Sequence, residues 1–207
     1  MKPNLIITIS RQLGAGGAFI GQQIARRLEL HYADREIIRE AAKQLAVREE
    51  DIEKRDEKTQ PFWETLVQST GYAHEFYVPI NIQYAPTDAE MFAAETDIIR
   101  KIAKKGSAVI IGRCGFHILA AHTNTLRIFL HADAKIRVER VMELYKMNRK
   151  DAELAVAESD RERAKYIMAF AGVEWKNTTN FDLTIDTGKL GLENSIEGIL
   201  SFVNLWK

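Results

Sequence analysis

Residues 5–34 read LIITISRQLGAGGAFIGQQIARRLELHYAD, and this stretch decides the fold class. Leu5, Ile6, Ile7 and Ile9 form a short apolar run of the kind that makes a buried strand. A loop carrying Gly14, Gly16 and Gly17 follows, after which Ile20, Ile24 and Leu28 recur every fourth residue, one face of a helix over 17–29. A second short extended segment ends at Asp34. Strand, glycine loop, helix and strand in this order seat phosphates, because the orphan N–H groups and the dipole at a helix N-terminus both favour an anion. Glycine lets bare backbone approach the oxygens closely, often at positive φ. The expected phosphate seat is therefore Gly14, Ala15, Gly16, Gly17 and Ala18. The loop departs from the Walker A pattern G-x-x-x-x-G-K-[ST]. Aligned on Gly16, it offers Arg11 for the first glycine, Gly17 for the lysine and Ala18 for the hydroxyl. A dinucleotide-binding loop is the competing reading: Gly14-Ala15-Gly16 opens a G-x-G-x-x-G, and Asp34 could imitate the ribose-binding acid. The sixth position of that motif is Phe19, however, and Ser10 to Leu13 separate the strand from Gly14, which suits a phosphate loop better.

Working outward, apolar β-branched runs recur at 107–111, 126–130 and 183–185, each short and with little alternation, as parallel strands covered on both faces require. Helical patterns lie between them at 35–46, 89–105, 133–147 and 192–205. The pattern predicts an α/β fold, a five-stranded parallel sheet flanked by helices with right-handed crossovers, in one domain spanning 1–207. Ligands of such sheets sit beyond the carboxyl ends of the strands. Two stretches break the alternation. Residues 48–88, rich in charge, aromatics and proline, read as an insert over the acceptor side of the binding face; residues 146–170 read as a charged helical lid.

Composition limits the function classes. Hydrophobic residues make up 46% and charged residues 28%, ordinary for a globular domain. Lys plus Arg and Asp plus Glu balance at 29 each, which argues against sequence-independent nucleic-acid binding and against a membrane surface as partner. The first apolar run is too short for a signal peptide or a membrane span, so the chain reads as cytoplasmic. Cys114 is the only cysteine, and His31, His74, His117, His122 and His131 contain no i, i+4 pair, so neither a disulfide framework nor a zinc site is expected. Oligomeric state stays open.

Three further clusters carry chemistry. Arg113, in Ile111-Gly112-Arg113-Cys114-Gly115, sits at a strand's carboxyl end, where its planar fork suits bidentate phosphate binding; a surface ion pair is the alternative. Asp160, Arg161 and Arg163 lie in the 146–170 segment, either on a solvated helical face or as cations closing over a transferring phosphoryl group. Asp34-Arg35 opens a helix, with Asp34 suited to cap it and also to hold a metal-bound water or the acceptor. Cys114 reads as a small filler, since no base partner can be named for it.

Together these residues resemble the cytidylate kinase-like family, variant phosphate-loop relatives of the nucleoside monophosphate kinases, over nearly the whole chain. ISRQLGAGGAFIG and YADREII resemble its phosphate loop and the acidic-basic pair after it. VIIGRCGFHIL and LRIFLHADAKIRVERV resemble the G-R-D segment, fourth strand and arginine-bearing helix of cytidylate kinases. SDRERAKY resembles the D-x-x-R lid region, and FDLTIDTGKLGLENSIEGIL the closing strand, aspartate-threonine turn and last helix. The departures are the loop lysine and hydroxyl, both absent, and Cys114 where cytidylate kinases carry an aspartate that helps read cytosine. The resemblance implies phosphoryl transfer from ATP or another nucleoside triphosphate, with magnesium, to a nucleotide or other small acceptor. In this reading the glycine loop seats the donor, Arg11 and Arg113 neutralise charge in place of the missing lysine (Arg113 nearer the acceptor), and Arg161 and Arg163 close over the moving group. Asp34, Arg35 and Asp160 are then the candidates on the acceptor side, with Asp34 as a metal ligand. The missing lysine and hydroxyl favour a second reading, a nucleotide-binding sensor or partner-binding module without useful catalysis. A nicotinamide-dependent dehydrogenase is the third.

Overall fold

The computed structural model describes residues 4–46 and 86–206. The expected insert at 48–88 lies outside them, apart from its last three residues. β1 (Ile6–Arg11) leads through the glycine loop to α1 (Gly17–Arg27), β2 (His31–Ala33) and α2 (Arg35–Gln44). Beyond residue 85 come α3 (Asp88–Lys105), β3 (Ala108–Ile111), the one-turn α4 (Gly115–Ile118) and β4 (Thr125–His131). The chain continues through α5 (Ala134–Tyr145), α6 (Arg149–Ala171), β5 (Leu183–Asp186), the one-turn α7 (Thr187–Leu190) and α8 (Leu192–Leu205). Every strand and helix expected within these residues is present, and β2 is the short extended segment before Asp34.

The five strands are parallel in the order β2-β3-β1-β4-β5. β3 thus separates β1 from β2. In a dinucleotide-binding sheet β2 adjoins β1, so the dehydrogenase alternative is corrected by the topology. Side chains of β1 and β3 alternate between two apolar layers, as period-two geometry demands. Ile6 and Ile110 pack with Ile37, Ile38, Ile98 and Ile99 of α2 and α3. Ile7, Ile9, Val109 and Ile111 pack on the other face with Ile20 and Ile24 of α1 and Ile196 and Ile199 of α8. Burial on both faces explains why these strands read as continuous apolar runs rather than alternating ones.

Local signals set the helix ends that matter for the site. Thr87 and Glu90 form a reciprocal capping box at the start of α3, Oγ1 accepting from the Glu90 N–H at 3.2 Å and Oε2 accepting from the Thr87 N–H at 2.8 Å. Asn148 caps α6, and Gly172 ends it in the left-handed region. α6 falls within the expected lid segment, 146–170, except for its last residue, Ala171. One stripe of it (Ala152, Ala155, Val156, Ser159, Arg163 and Ile167) is buried. No helix among the described residues is long and apolar enough to cross a membrane.

Candidate functional site

The site grows from the end of β1. Its register places Arg11 beside Leu130 of β4 and Ile9 beside Ile111 of β3, so the two segments bearing Arg11 and Arg113 leave the sheet side by side. After β1 the backbone turns: the Gln12 N–H donates to the Leu130 carbonyl (3.0 Å) and the Ala15 N–H to the Gln12 carbonyl (3.1 Å). Gly14 and Gly16 both adopt positive φ, 81° and 80°. Three successive loop carbonyls are held from behind. Arg137 Nη1 donates to the Leu13 carbonyl (3.3 Å), Arg140 Nη1 to that of Gly14 (3.2 Å), and the buried Thr187 hydroxyl to that of Ala15 (3.0 Å). In a trans peptide the N–H points opposite to its C=O. Anchoring these carbonyls therefore turns the N–H groups of Gly14 and Gly16 away from the anchors. The first turn of α1 then adds its own orphan N–H groups, with no acidic residue to oppose an anion.

Arginines converge on this loop. Gly112, Arg113 and Cys114 are three consecutive residues at positive φ (71°, 54° and 52°). For arginine and cysteine that conformation costs about 1 kcal/mol or more each and persists only where the surroundings enforce it. Here they do. Buried Arg113 donates from Nη1 to Glu95 Oε1 (2.8 Å), and the Tyr166 hydroxyl donates to Glu95 Oε2 (2.9 Å), tying α3 and α6 to the end of β3. Burial pushes the Arg113 guanidinium down to about 10, and the like charges of Arg11 and Arg163 push the same way, while Tyr166 and Asp34 oppose them. Arg163, also buried, donates from Nη1 to the Arg11 carbonyl at 3.2 Å.

These groups line one cleft of about 810 Å³. Arg11, Gly14, Gly16, Gly17, Ala18, Asp34, Arg35, Arg113 and Arg163 all face it, so most of the residues singled out in the sequence are brought together. Three are not. Ala15 is fully buried beneath the loop. The Asp160 carboxylate is consumed by a bidentate pair with Arg137 (3.1 Å to each oxygen), by Gln12 Nε2 (2.9 Å) and by Lys176 (3.3 Å); it braces the loop from behind. Arg161 is exposed and pairs with Glu158 and Glu162. The cause is helical geometry: positions two apart lie roughly 200° apart around the axis, so Arg163 turns inward and Arg161 outward. The expected capping role of Asp34 is also corrected. Asp34 stands at the N-cap position of α2, but its side chain makes no capping bond there and accepts from the Tyr32 hydroxyl at 3.0 Å. Sequence reading missed Arg140, Thr187, Glu95 and Tyr166. The arginine-bearing helix and the aspartate-threonine turn flagged the first two, but nothing in the sequence shows that Glu95 and Tyr166 meet Arg113.

A bound triphosphate with magnesium would find partial provision here. Among the described residues there is no group of three or more potential metal ligands, and Ala18 has no hydroxyl to offer. Asp34, a single carboxylate facing the cleft, fits a magnesium ion whose other ligands are phosphate oxygens and water.

Comparisons with known proteins agree with this picture. The model of the "Cytidylate kinase-like family" matches residues 6–189. A cytidylate kinase of Pyrobaculum neutrophilum is 23% identical over 200 residues, covering 96% of this chain and 92% of that protein. Among solved structures, an uncharacterized protein from Eubacterium ventriosum superposes with a TM-score of 0.70 at 21% identity, covering 97% of this chain and 98% of the other. A shikimate kinase from Bacteroides thetaiotaomicron does so with a TM-score of 0.54 at 11% identity, covering 97% and 98%. Both likenesses concern the fold alone. A glycine loop anchored from behind, a β2-β3-β1-β4-β5 sheet and a family match across most of the sequence lead to one conclusion: the chain belongs to the cytidylate kinase-like family.

Proposed function

We propose that the protein transfers a phosphoryl group from a nucleoside triphosphate to a nucleotide or another small anionic acceptor. The observation that carries this reading is the convergence of Arg11, Arg113 and Arg163 on a glycine loop at the carboxyl end of β1, in one cleft. Phosphoryl transfer asks little covalent chemistry of a protein; it asks for positioning and for positive charge where the moving group spreads negative charge. The N–H groups of the loop and of the first turn of α1 hold the donor phosphates. Arg113, fixed by Glu95 at the end of β3, orients the acceptor. Arg163, carried by α6 and held against the end of β1 by the Arg11 carbonyl, stabilises the charge of the transferring group. Magnesium, when bound with the triphosphate, supplies further charge stabilisation, with Asp34 as its protein ligand. The acceptor oxygen bonds to the γ-phosphorus as the bond to the β–γ bridging oxygen breaks, its electron pair leaving on the nucleoside diphosphate. Where the acceptor oxygen belongs to a phosphate, no proton is released.

The absent loop lysine and hydroxyl, at Gly17 and Ala18, favour a second reading: a nucleotide-binding module without turnover. One experiment separates the two. A ligand that binds the native state raises the melting temperature according to its concentration over its Kd. ATP with magnesium is expected to raise the melting temperature, NAD to leave it unchanged, and label from the γ-phosphate of ATP to pass to at least one member of a panel of nucleoside monophosphates and small phosphorylated metabolites. Binding of ATP without transfer to any acceptor in a broad panel would make the module reading the correct one.

A further inference from the structure

In an ordinary phosphate loop the cation over the β- and γ-phosphates comes from the first turn of the helix, at the position Gly17 occupies here. The structure shows why a side chain is excluded there. A Cβ built on Gly17 would lie 2.6 Å from Arg11 Cγ, 2.8 Å from Arg11 Cβ and 3.3 Å from Arg11 Cδ. These are the root and stem of the arginine rather than its mobile tip, so the stem runs through the volume in which a residue at 17 would begin. Arg11 is held in that course from its own backbone: it ends β1, paired beside Leu130, and its carbonyl accepts from Arg163. Its side chain faces the same cleft as Gly14, Gly16, Gly17 and Ala18. Its charge is felt by both Tyr32 and Arg113.

We infer that Arg11 and Gly17 are a matched pair in which the strand end, instead of the helix, delivers the catalytic cation to the donor's terminal phosphates, and the helix gives up its side chain to make room. This rests on the phosphotransferase reading. It adds that the two positions are exclusive of one another: one cation serves the loop, rooted at 11 or at 17 but not at both. Glycine at 17 is then the steric partner of arginine at 11, and the loss of the lysine is a relocation of charge.

The test is a charge transplant in the full-length protein. Arg11→Ala is expected to lower transfer by about a hundredfold, the order of effect of removing one preorganised transition-state donor. Gly17→Lys alone is expected to lose activity as well, because the lysine collides with the Arg11 stem. The Arg11→Ala/Gly17→Lys double variant is expected to recover at least tenfold over Arg11→Ala, and Arg11→Ala/Gly17→Met, equal in bulk and uncharged, to recover nothing. Recovery by both double variants would reduce Arg11 to a packing element, and recovery by neither would overturn the pairing; in either case transfer by the wild type leaves the functional reading standing. If the wild type binds ATP but does not transfer, the same four variants are compared by affinity for a non-hydrolysable ATP analogue, and the same patterns of recovery support or overturn the pairing. Should a double variant fail to fold, Arg11→Gln carries the test. It is expected to lower ATP affinity more than ADP affinity, because only ATP carries the γ-phosphate, and equal losses for the two nucleotides would overturn the inference.

Discussion

At Gly14 the reason for glycine differs from the one the sequence suggests. Its motif implies that bare backbone is needed for the ligand, yet a Cβ there would sit 2.6 Å from the backbone oxygen of Arg137 and 2.9 Å from its Cα. The passing turn of α5 demands the glycine, and φ of +81° adds to the demand. Gly172 makes the useful contrast, with φ of +67° and open space around it. Gly172→Ala should therefore cost only the left-handed backbone term, about 1 kcal/mol. Gly14→Ala adds a collision with main chain that cannot rotate away, and should cost about 3 kcal/mol in all. Urea denaturation of the two variants, read at unchanged m-value, checks the difference. Similar losses would show that the α5 backbone yields more readily than its geometry implies.

At the scale of the element, α6 is built as two helices in one. Its inner stripe locks Asp160 and Arg163 against the loop and α5, while its outer face carries local pairs such as Arg161 with Glu158. The Arg137–Asp160 pair is nearly buried, with the two side chains 6% and 16% exposed. Removing one charge from such a pair strands the other, at about 3 kcal/mol, whereas an exposed pair contributes under about 1 kcal/mol. Asp160→Asn should therefore destabilise the fold strongly and loosen the loop through Gln12 and Arg137, while Arg161→Ala should leave both stability and transfer near wild type. Thermal unfolding of the two variants beside a transfer assay makes the comparison. A large loss of turnover in a fully stable Arg161→Ala protein would restore that residue to the site.

Over the whole molecule the charges cancel, yet the cleft does not share that neutrality. Among the described residues that line it, Arg11, Arg35, Arg113, Arg140, Lys146 and Arg163 face Asp34 and Glu143. Even with Arg113 matched by the buried Glu95, five cations against two carboxylates concentrate a positive field in a concave wall, where it attracts a polyanion more than a balanced surface would. Salt should reveal this, since the Debye length shrinks from about 10 Å at 0.1 M to about 3 Å at 1 M. ATP affinity should fall by about fivefold or more between 0.05 and 0.5 M sodium chloride, while that of uncharged adenosine stays level. The measurement is titration calorimetry at both salt concentrations, and a salt-independent ATP affinity would mean that the arginines are occupied internally.

How much of this is legible in the sequence follows from the range of the forces involved. Hydrophobic periodicity is local, and it suffices for the strands, the helices flanking them and the glycine loop between β1 and α1. The burial of β1 and β3 on both faces, written as unbroken isoleucine and valine, is enough to predict a parallel sheet. Arg11, Arg113 and Arg163 are legible because strand ends and a charged helix mark them, and the sheet's carboxyl edge gathers what the strands carry. What the tertiary structure alone decided was direction and partnership. Helical phase turned Arg163 inward and Arg161 outward. Contacts across 18 to 71 residues of sequence built the Arg113–Glu95–Tyr166 chain. The Asp160 carboxylate, so well placed in its motif, was claimed by Arg137 and Gln12, which sequence spacing does not bring near it. Only packing could show that Gly17 is empty because Arg11 already fills its space, since which of two side chains occupies a shared volume is settled in three dimensions.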